Sequence, residues 1–492
     1  MKLYIDIGIA QSRLLLMEDG VPVDIYINDH TLKNTSGNIY KGRVENVASS
    51  LKCAFVNIGE DKNGLLHFSE CSNMPKKGDE LLVQVTREGV GDKGPRLTQN
   101  LSIPSKNMVL LINDSDINIS KKIQNKKVRN NLFNIGKTLL KEEDGFGVIF
   151  RTSCQNLTEN DIEEEFKDLL KLSKNILSKW KFIKGSVKVY DGADFIDHIK
   201  REYISPKITD IYINSLEEID VIKEFIIHNG YDCNIHNTTE TRKEMNIIQK
   251  TINKALEDKI ETSSGNIIID EAEAFSIIDV NYNKIEGDAS KDKGPLKGNL
   301  DCCRAIATAI KLKNLSGIIL VDFVNMELEE DNNRVIDRLT SEFFKNNVKA
   351  TIHGFTKLSL LEITRAKKAL SLQRLVYKDR HKSVLRGEYY LKNLEDNVVE
   401  LNSKSPQKDF TVYVSDDIFS CSQGVDFERE MLRIHNIKIT LKCKKDITGY
   451  IIDNNHNSGF ARVSIGSKNI LGSVLELKED GDNIYIKLHK NQ

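Results

Sequence analysis

Two short apolar runs, each interrupted by an aspartate, constrain this chain more than any other feature. They are Ile277-Ile-Asp279-Val-Asn281 and Ile319-Leu-Val-Asp322-Phe323. Both runs have the length and composition of buried strands. The segment between them has the spacing of an amphipathic helix with Asn299 as its expected N-cap, and a second helix is expected over residues 327–345. This order of strands and helices predicts a layered sheet.

The two aspartates suggest a metal site. An ionised carboxylate in an apolar strand is costly to bury unless it is paired, hydrogen-bonded or bound to a metal. Asp279 and Asp322 could converge on one hard cation, since Mg²⁺ typically takes only one or two carboxylates plus water. Such an ion could polarise a phosphodiester and activate a water molecule. The spacing alone leaves an alternative open, in which both aspartates cap turns or pair with lysines.

Composition limits the classes of protein that fit. The 492 residues suffice for about three or four domains. The net charge is −1, so any contact with a polyanion must come from local basic patches. The eight cysteines form no C-x-x-C pair, which disfavours a disulfide framework. The N-terminus is strand-like and no apolar run has the roughly 18–20 residues of a membrane helix, so we expect a cytoplasmic protein without a membrane span.

Other segments have weaker patterns. Short strands separated by turn residues between 37 and 100 predict a small barrel. A long polar helix is expected over 240–260. A C-terminal hairpin is expected with strands 470–478 and 483–488, turning at Glu479-Asp-Gly-Asp482.

Several sequence blocks resemble the ribonuclease E/G family. Gly265 to Asn281 is similar to the central block of that family, and so are Asn299 to Ile306 and Leu315 to Phe323. Leu360-Leu-Glu-Ile-Thr-Arg365 is similar to the block that follows. The likeness runs, with gaps, from residue 1 to about residue 368.

The resemblance implies an α+β fold with several subdomains. The expected parts are a ribonuclease-H-like structural subdomain (1–36 plus 190–260), an inserted S1-type OB RNA-binding barrel (37–112), a 5′-sensor subdomain (113–189), a DNase-I-like catalytic subdomain (261–372) and a small C-terminal α+β region (373–492).

The resemblance also implies an activity. Asp279 and Asp322 would bind Mg²⁺, and Asn281 would orient one aspartate or the attacking water. The enzyme would cleave single-stranded RNA, leaving a 5′-phosphate and a 3′-hydroxyl. Ribosomal RNA precursors and messenger RNA are the expected substrates, in rRNA processing and mRNA decay.

The expected barrel offers candidate RNA contacts, because OB barrels bind single strands by stacking bases on aromatic rings beside basic groups. Tyr40 and Phe55 are the candidate stacking residues. The candidate phosphate contacts are Lys41, Arg43, Lys93 and Arg96. The family often has an aromatic residue where this chain has Leu65, so His67 could share the stacking role. The alternative is that Phe55 belongs to the barrel core and the lysines are only solvated.

A second candidate RNA site is Arg151-Thr152, which matches a pair that reads the 5′-monophosphate in the family. The planar fork of arginine suits phosphate oxygens. Five basic residues without an acid lie between Lys121 and Arg129 and either form a solvated face or line the RNA path.

One departure concerns oligomerisation. The C-P-x-C zinc link of many family members is absent, since the next cysteine after the catalytic blocks is Cys421. A thiolate zinc site needs four ligands, so zinc is not expected, and a homodimer without a zinc link stays open.

Two rival functions remain. One is a non-catalytic S1-type RNA-binding protein. The other is an ATPase or ribonuclease H that uses Asp6, because a strand with Asp and Gly near the N-terminus also opens those folds.

Overall fold

The chain forms two compact units in a computed structural model. The units are residues 1–32 with 205–492, and residues 33–204. The structure describes residues 1–31, 36–89, 93–192, 194–239, 244–282, 294–326, 328–367, 369–379, 381–382, 384–404, 409–444, 449–453, 460–465, 468–480 and 483–490. Each unit contains both helices and strands, which confirms the mixed α+β class.

The chain begins with three antiparallel strands. They are β1 (Lys2–Asp6), β2 (Gln11–Glu18) and β3 (Val21–Asp29).

A closed five-stranded barrel opens the second unit. Its strands are β4 (Ile39–Ala48), β5 (Cys53–Asn57), β6 (Gly64–His67), β7 (Glu80–Arg87) and β8 (Arg96–Thr98). The strand order is β4-β5-β6-β8-β7, and β7 pairs back onto β4. Alternate residues such as Val44, Val56 and Leu66 fill the interior because side chains along a strand point to opposite faces. The barrel is consistent with an OB-like subdomain.

The rest of the second unit is a sheet covered by helices. Its elements are β9 (Leu101–Pro104), β10 (Met108–Ile112), β11 (Ile117–Ile119), α1 (Lys126–Leu139), β12 (Phe146–Phe150), α2 (Glu159–Lys179), β13 (Val187–Tyr190) and α3 (Phe195–Glu202). The sheet order is β11-β12-β10-β9, whereas β13 joins the barrel beside β4. Thr158 and Asp161 form a reciprocal capping box that starts α2.

The first unit resumes with two strands and two helices. They are β14 (Asp210–Ile213), α4 (Leu216–His228), β15 (Asn234–Asn237) and α5 (Asn246–Ala255). β14 pairs in parallel with β1, and the sheet order is β15-β14-β1-β2-β3. The helix predicted over 240–260 was too long, because a strand begins at Lys259; residues 240–243 of that prediction lie outside the described part.

A six-stranded sheet with one helical face follows. Its elements are β16 (Lys259–Thr262), β17 (Gly265–Glu271), β18 (Phe275–Tyr282), α6 (Gly294–Leu312), β19 (Gly317–Asp322), α7 (Glu329–Lys345), β20 (Ala350–Phe355) and β21 (Leu360–Arg365). The strand order is β16-β17-β18-β19-β21-β20. Apolar residues of α6 and α7, including Ile306 and Leu339, pack on one face with Ile278, Val321 and Ile363. This arrangement confirms the predicted layered sheet.

The C-terminal part of the first unit contains, within its described residues, four helices and a second six-stranded sheet. Its elements are α8 (Leu372–Val376), α9 (Gly387–Lys404), β22 (Asp409–Val414), α10 (Asp416–Gly424), α11 (Phe427–His435), β23 (Lys438–Cys443), β24 (Tyr450–Asp453), β25 (Phe460–Ile465), β26 (Lys468–Asp480) and β27 (Asn483–Lys490). The sheet order is β23-β22-β24-β25-β26-β27. The antiparallel pairing of β26 with β27 confirms the predicted hairpin, although residues 481–482 of its turn lie outside the described part. No helix within the described ranges is long and apolar enough to cross a membrane.

Candidate functional site

Asp279 and Asp322 lie side by side on neighbouring strands. β18 and β19 run in parallel, and Asp279 is the direct register partner of Asp322. Adjacent strands are roughly 4.8 Å apart, and register partners point to the same face. The fold therefore brings together two carboxylates that are 43 residues apart in the sequence.

The aspartates point away from the core. Ile278, Val280 and Val321 alternate with them and pack beneath the helices, so Asp279 is only half-buried and Asp322 is exposed. The burial cost considered from the sequence does not arise for Asp279 and Asp322, because the helices α6 and α7 cover the opposite face of this sheet. Instead, the two carboxylates repel each other, because they lie in register on one open face.

Asn281 holds the first of these carboxylates. Its Nδ2 donates to Oδ2 of Asp279 at 2.8 Å. β17 can approach β18 at this point because residue 265 is glycine: a Cβ there would lie 1.9 Å from the carbonyl oxygen of Asn281. Asn266, the register partner of Asn281, is 8% exposed, and its Oδ1 has no hydrogen-bond partner among the described residues.

Asn299 positions the chain just after Asp322, a role that the sequence analysis missed. Asn299 was expected to cap α6, but the helix begins at Gly294 and places Asn299 inside it. Its fully buried amide donates to the carbonyl oxygen of Val324 at 2.8 Å and accepts from the Val324 N–H at 3.1 Å. These two bonds anchor the backbone two residues beyond Asp322. A polar residue among apolar helix positions was the available signal.

The donor set around the pair is small. No cluster of three or more His, Cys, Asp or Glu side chains suited to a metal occurs in the described ranges. Two carboxylates with the adjacent amide of Asn281 nevertheless match the ligands that Mg²⁺ takes when it keeps most of its water.

The barrel presents a second polar surface on its outer face. Phe55 is the register partner of Leu65, and Leu65 is the partner of Arg96, so the three side chains form one row. Phe55 and Leu65 are partly exposed and Arg96 is exposed. His67, two residues beyond Leu65, is also partly exposed. We call the residues Arg43, Phe55, Leu65, His67 and Arg96 the barrel face.

Two further candidate contacts have different surroundings. Arg43 is exposed and pairs across the strands with Asn57, on the same side as Phe55. Lys93 is exposed in the loop before β8. The sequence analysis missed Arg87, which is exposed and is the register partner of Arg96.

Tyr40 and Lys41 are not available for the predicted contacts. Tyr40 is 1% exposed inside the barrel, because it alternates with the outward-facing Arg43, and burial raises the pKa of its hydroxyl. Lys41 is 5% exposed; its ammonium donates to the carbonyl of Ile183 at 2.7 Å and pairs with Glu80 at 2.7 Å. The predictions that Tyr40 stacks on a base and that Lys41 contacts phosphate are therefore corrected.

Arg151 and Thr152 follow β12 at the surface of the second unit. Nη1 of Arg151 donates to Oε1 of Glu202 at 3.2 Å, and the Arg151 side chain is 31% exposed. The hydroxyl of Thr152 lies 2.9 Å from that of Ser120, and Nη1 of Arg129 donates to the Ser120 carbonyl at 2.9 Å. The basic segment between Lys121 and Arg129 thus begins beside Thr152, and its four lysines are exposed.

Comparison with known proteins assigns the chain to a family. Residues 102–368, more than half of the chain, match the model of the ribonuclease E/G family. The chain belongs to the ribonuclease E/G family. The match includes both aspartates, Asn281, Asn299 and the Arg151-Thr152 pair.

Individual relatives match longer stretches of the chain than the family model does. Ribonuclease G of Haemophilus influenzae is 27% identical over 400 residues, which cover 76% of this chain and 81% of that protein. Ribonuclease G of Escherichia coli K12 has the same identity and coverage. Ribonuclease E of Synechocystis is 28% identical over 360 residues, which cover 69% of this chain and 53% of that longer protein.

Proposed function

We propose that this member of the ribonuclease E/G family is a Mg²⁺-dependent endoribonuclease that cleaves single-stranded RNA in the cytoplasm. The observation that supports it most is the register pairing of Asp279 with Asp322 on an open sheet face, within the segment that matches the family. Ribosomal RNA precursors and messenger RNA are the proposed substrates. A homodimer without a zinc link belongs to the same proposal, and light scattering would test it.

The chain's own residues would have separate roles at this site. Asp279 and Asp322 would hold Mg²⁺, which would polarise the phosphodiester and lower the pKa of a bound water. Asn281 would keep the carboxylate of Asp279 in one orientation through its 2.8 Å hydrogen bond. Asn299 would fix the backbone beyond Asp322, so that the second carboxylate keeps its place beside the first.

Binding would depend on the second unit. The barrel face offers the ring of Phe55 and two exposed arginines, Arg43 on β4 and Arg96 on β8, which suits a flexible single strand better than a rigid duplex. Lys93 and Arg87 would add phosphate contacts beside it. Arg151 and Thr152 would receive a 5′-monophosphate through a guanidinium and a hydroxyl group.

A cleavage assay tests the proposal. We expect Asp279→Asn and Asp322→Asn each to reduce cleavage of a 5′-monophosphorylated, A/U-rich oligonucleotide by at least about a thousandfold in Mg²⁺, because each removes a charge that would hold the ion. Binding should persist, and circular dichroism should report an unchanged fold. Chelation of the metal should abolish cleavage by the unsubstituted protein.

The rival functions give different results in the same assay. Tight RNA binding without cleavage by the unsubstituted protein would favour a non-catalytic RNA-binding protein. Cleavage that survives both substitutions but disappears in a folded Asp6→Asn variant would transfer the active site to Asp6.

A further inference from the structure

Glu202 shares its carboxylate between two arginines beside the proposed 5′-phosphate site. Its Oε1 accepts from Nη1 of Arg151 at 3.2 Å and from Nε of Arg201 at 3.2 Å. Nη2 of Arg201 lies 3.5 Å from Nδ1 of His198. Arg151 thus already has an anionic partner supplied by α3.

The surroundings of Glu202 and His198 shift the pKa of each side chain. Burial by itself raises the pKa of Glu202, but Arg151 and Arg201 outweigh it, so the pKa lies below its ordinary value. Burial, aided by the charge of Arg201, lowers the pKa of His198 to about 4. At neutral pH the carboxylate is therefore charged and the imidazole is neutral, which lets Nδ1 accept a hydrogen bond from Arg201.

We propose that Glu202 is an internal competitor that weakens the 5′-phosphate site and thereby sets how strongly the enzyme prefers monophosphorylated RNA. This inference rests on the proposed 5′-end sensing at Arg151. An incoming monophosphate carries about −1.5 to −2 charges and would draw Arg151 away from the singly charged carboxylate. A 5′-hydroxyl carries no charge and leaves the Arg151–Glu202 pair in place.

Arg201 lowers the free-energy cost of moving Arg151 from Glu202 to a phosphate. When Arg151 turns to a phosphate, Glu202 keeps the hydrogen bond from Nε of Arg201 and is not left without a counter-charge. The side chain of Arg201 is only 16% exposed, whereas that of Glu202 is 45% exposed, so the more accessible carboxylate can be solvated while Arg201 stays fixed. Glu202 then remains close enough to the phosphate to repel it.

The opposite role, in which Glu202 helps phosphate binding by orienting Arg151, has weaker support. A single hydrogen bond of 3.2 Å between two partly exposed groups restrains an arginine only weakly. The loss of a negative charge next to the site acts over a longer range and on a doubly charged ligand. The charge effect should therefore decide the outcome of a Glu202→Gln substitution.

The test measures RNA binding in the Asp322→Asn background, so that the RNA is not cut. Fluorescence anisotropy gives the Kd of the same oligonucleotide with a 5′-monophosphate and with a 5′-hydroxyl. We expect Glu202→Gln to tighten binding of the monophosphorylated RNA roughly fivefold and to leave the hydroxyl form unchanged. Glu164→Gln, which removes an exposed carboxylate from α2 of the same unit, should change neither Kd.

A double substitution assigns the effect to Arg151. Arg151→Ala should remove the monophosphate preference, and adding Glu202→Gln to it should restore none of it. A preference that stays the same or falls in Glu202→Gln, while Arg151→Ala still abolishes it, would overturn the competitor role and leave the sensor intact. If neither the Asp322→Asn protein nor its Glu202→Gln derivative prefers the monophosphate, the proposed 5′-end sensing fails as well.

Discussion

Aspartates near strand ends occur in two surroundings in the first unit. Asp6, the last residue of β1, is 3% exposed and accepts hydrogen bonds from the ammonium of Lys392 at 2.9 Å and from Nδ2 of Asn214 at 2.8 Å. Asp279 and Asp322 lie on an open face, and no lysine, arginine or histidine forms an ion pair with either within the described residues. One centre contains its own cation, whereas the described residues supply none to the other.

Lys392 contacts two further carboxylates besides that of Asp6. Lys392 is fully buried and binds Asp396 at 2.7 Å, with Glu395 at 3.9 Å. Its stem passes residue 8, where a Cβ would lie 2.6 Å from the Lys392 Cδ, so only glycine fits there. Asp6 already has an ammonium and an amide as hydrogen-bond donors within the fold, which argues against a catalytic role for Asp6.

The presence or absence of an internal counter-charge distinguishes Asp6, which has a structural role, from the proposed catalytic pair Asp279 and Asp322. The contact between Asp6 and Lys392 links the N-terminal sheet to α9, so Asp6 obtains a counter-charge as soon as the chain folds. Folding gives Asp279 a hydrogen bond from Asn281, but it also places two like charges in register, where they repel each other. In the proposed function, a bound Mg²⁺ would relieve this repulsion.

The largest expected effect comes from removing the internal cation. Lys392→Met should lower the free energy of unfolding by about 3–5 kcal/mol, because Asp6 would stay buried without its counter-charge. Urea denaturation followed by circular dichroism measures this change. Lys378→Met is the matched control: Lys378 pairs with Asp417 at 2.6 Å on the surface, where side-chain exposures are 39% and 62%, and should cost about 1 kcal/mol or less.

A second substitution makes the result specific. Adding Asp6→Asn to Lys392→Met should recover part of the lost stability, since one of the unpaired charges is removed. Equal destabilisation by Lys392→Met and Lys378→Met would show that the buried cluster has no special role.

The contrast between the two centres was only partly predictable from the sequence. Asp279 and Asp322 stand in recognisable strands, so their convergence followed from the order of strands and helices. Lys392 is 386 residues from Asp6, and nothing local marks it as a partner. Such a contact depends on how α9 packs against the N-terminal sheet, which local patterns do not encode.

The errors within the candidate sites have local causes. Tyr40 and Arg43 are three residues apart on one strand, so their side chains point to opposite faces and could not both contact RNA from the barrel face. The position of Asn299 within α6 depended on where the helix begins, and helix starts are poorly marked without a clear cap. The openness of the face around Asp322 depended on which side of the sheet the helices cover.

An intermediate effect should come from the buried amide that supports the open centre. Asn299→Ala removes both hydrogen bonds to Val324 and should reduce kcat by about 10- to 100-fold, by loosening the backbone next to Asp322. KM should change little, because Asn299 does not reach the surface. Asn333→Ala, at an exposed position of α7, serves as the control. A loss of stability without a fall in kcat at saturating substrate would limit Asn299 to a role in folding.

The smallest expected effect comes from giving the open centre an internal cation like that of Asp6. Leu320 lies on the same face as Asp322 and is the register partner of Ile277, two residues before Asp279. A lysine at position 320 could reach both carboxylates, so Leu320→Lys should raise the Mg²⁺ concentration needed for half-maximal cleavage roughly fivefold. Leu320→Met keeps a similar size without the charge and should leave that concentration unchanged. If both variants shift the Mg²⁺ requirement equally, packing rather than counter-charge distinguishes this centre from that of Asp6.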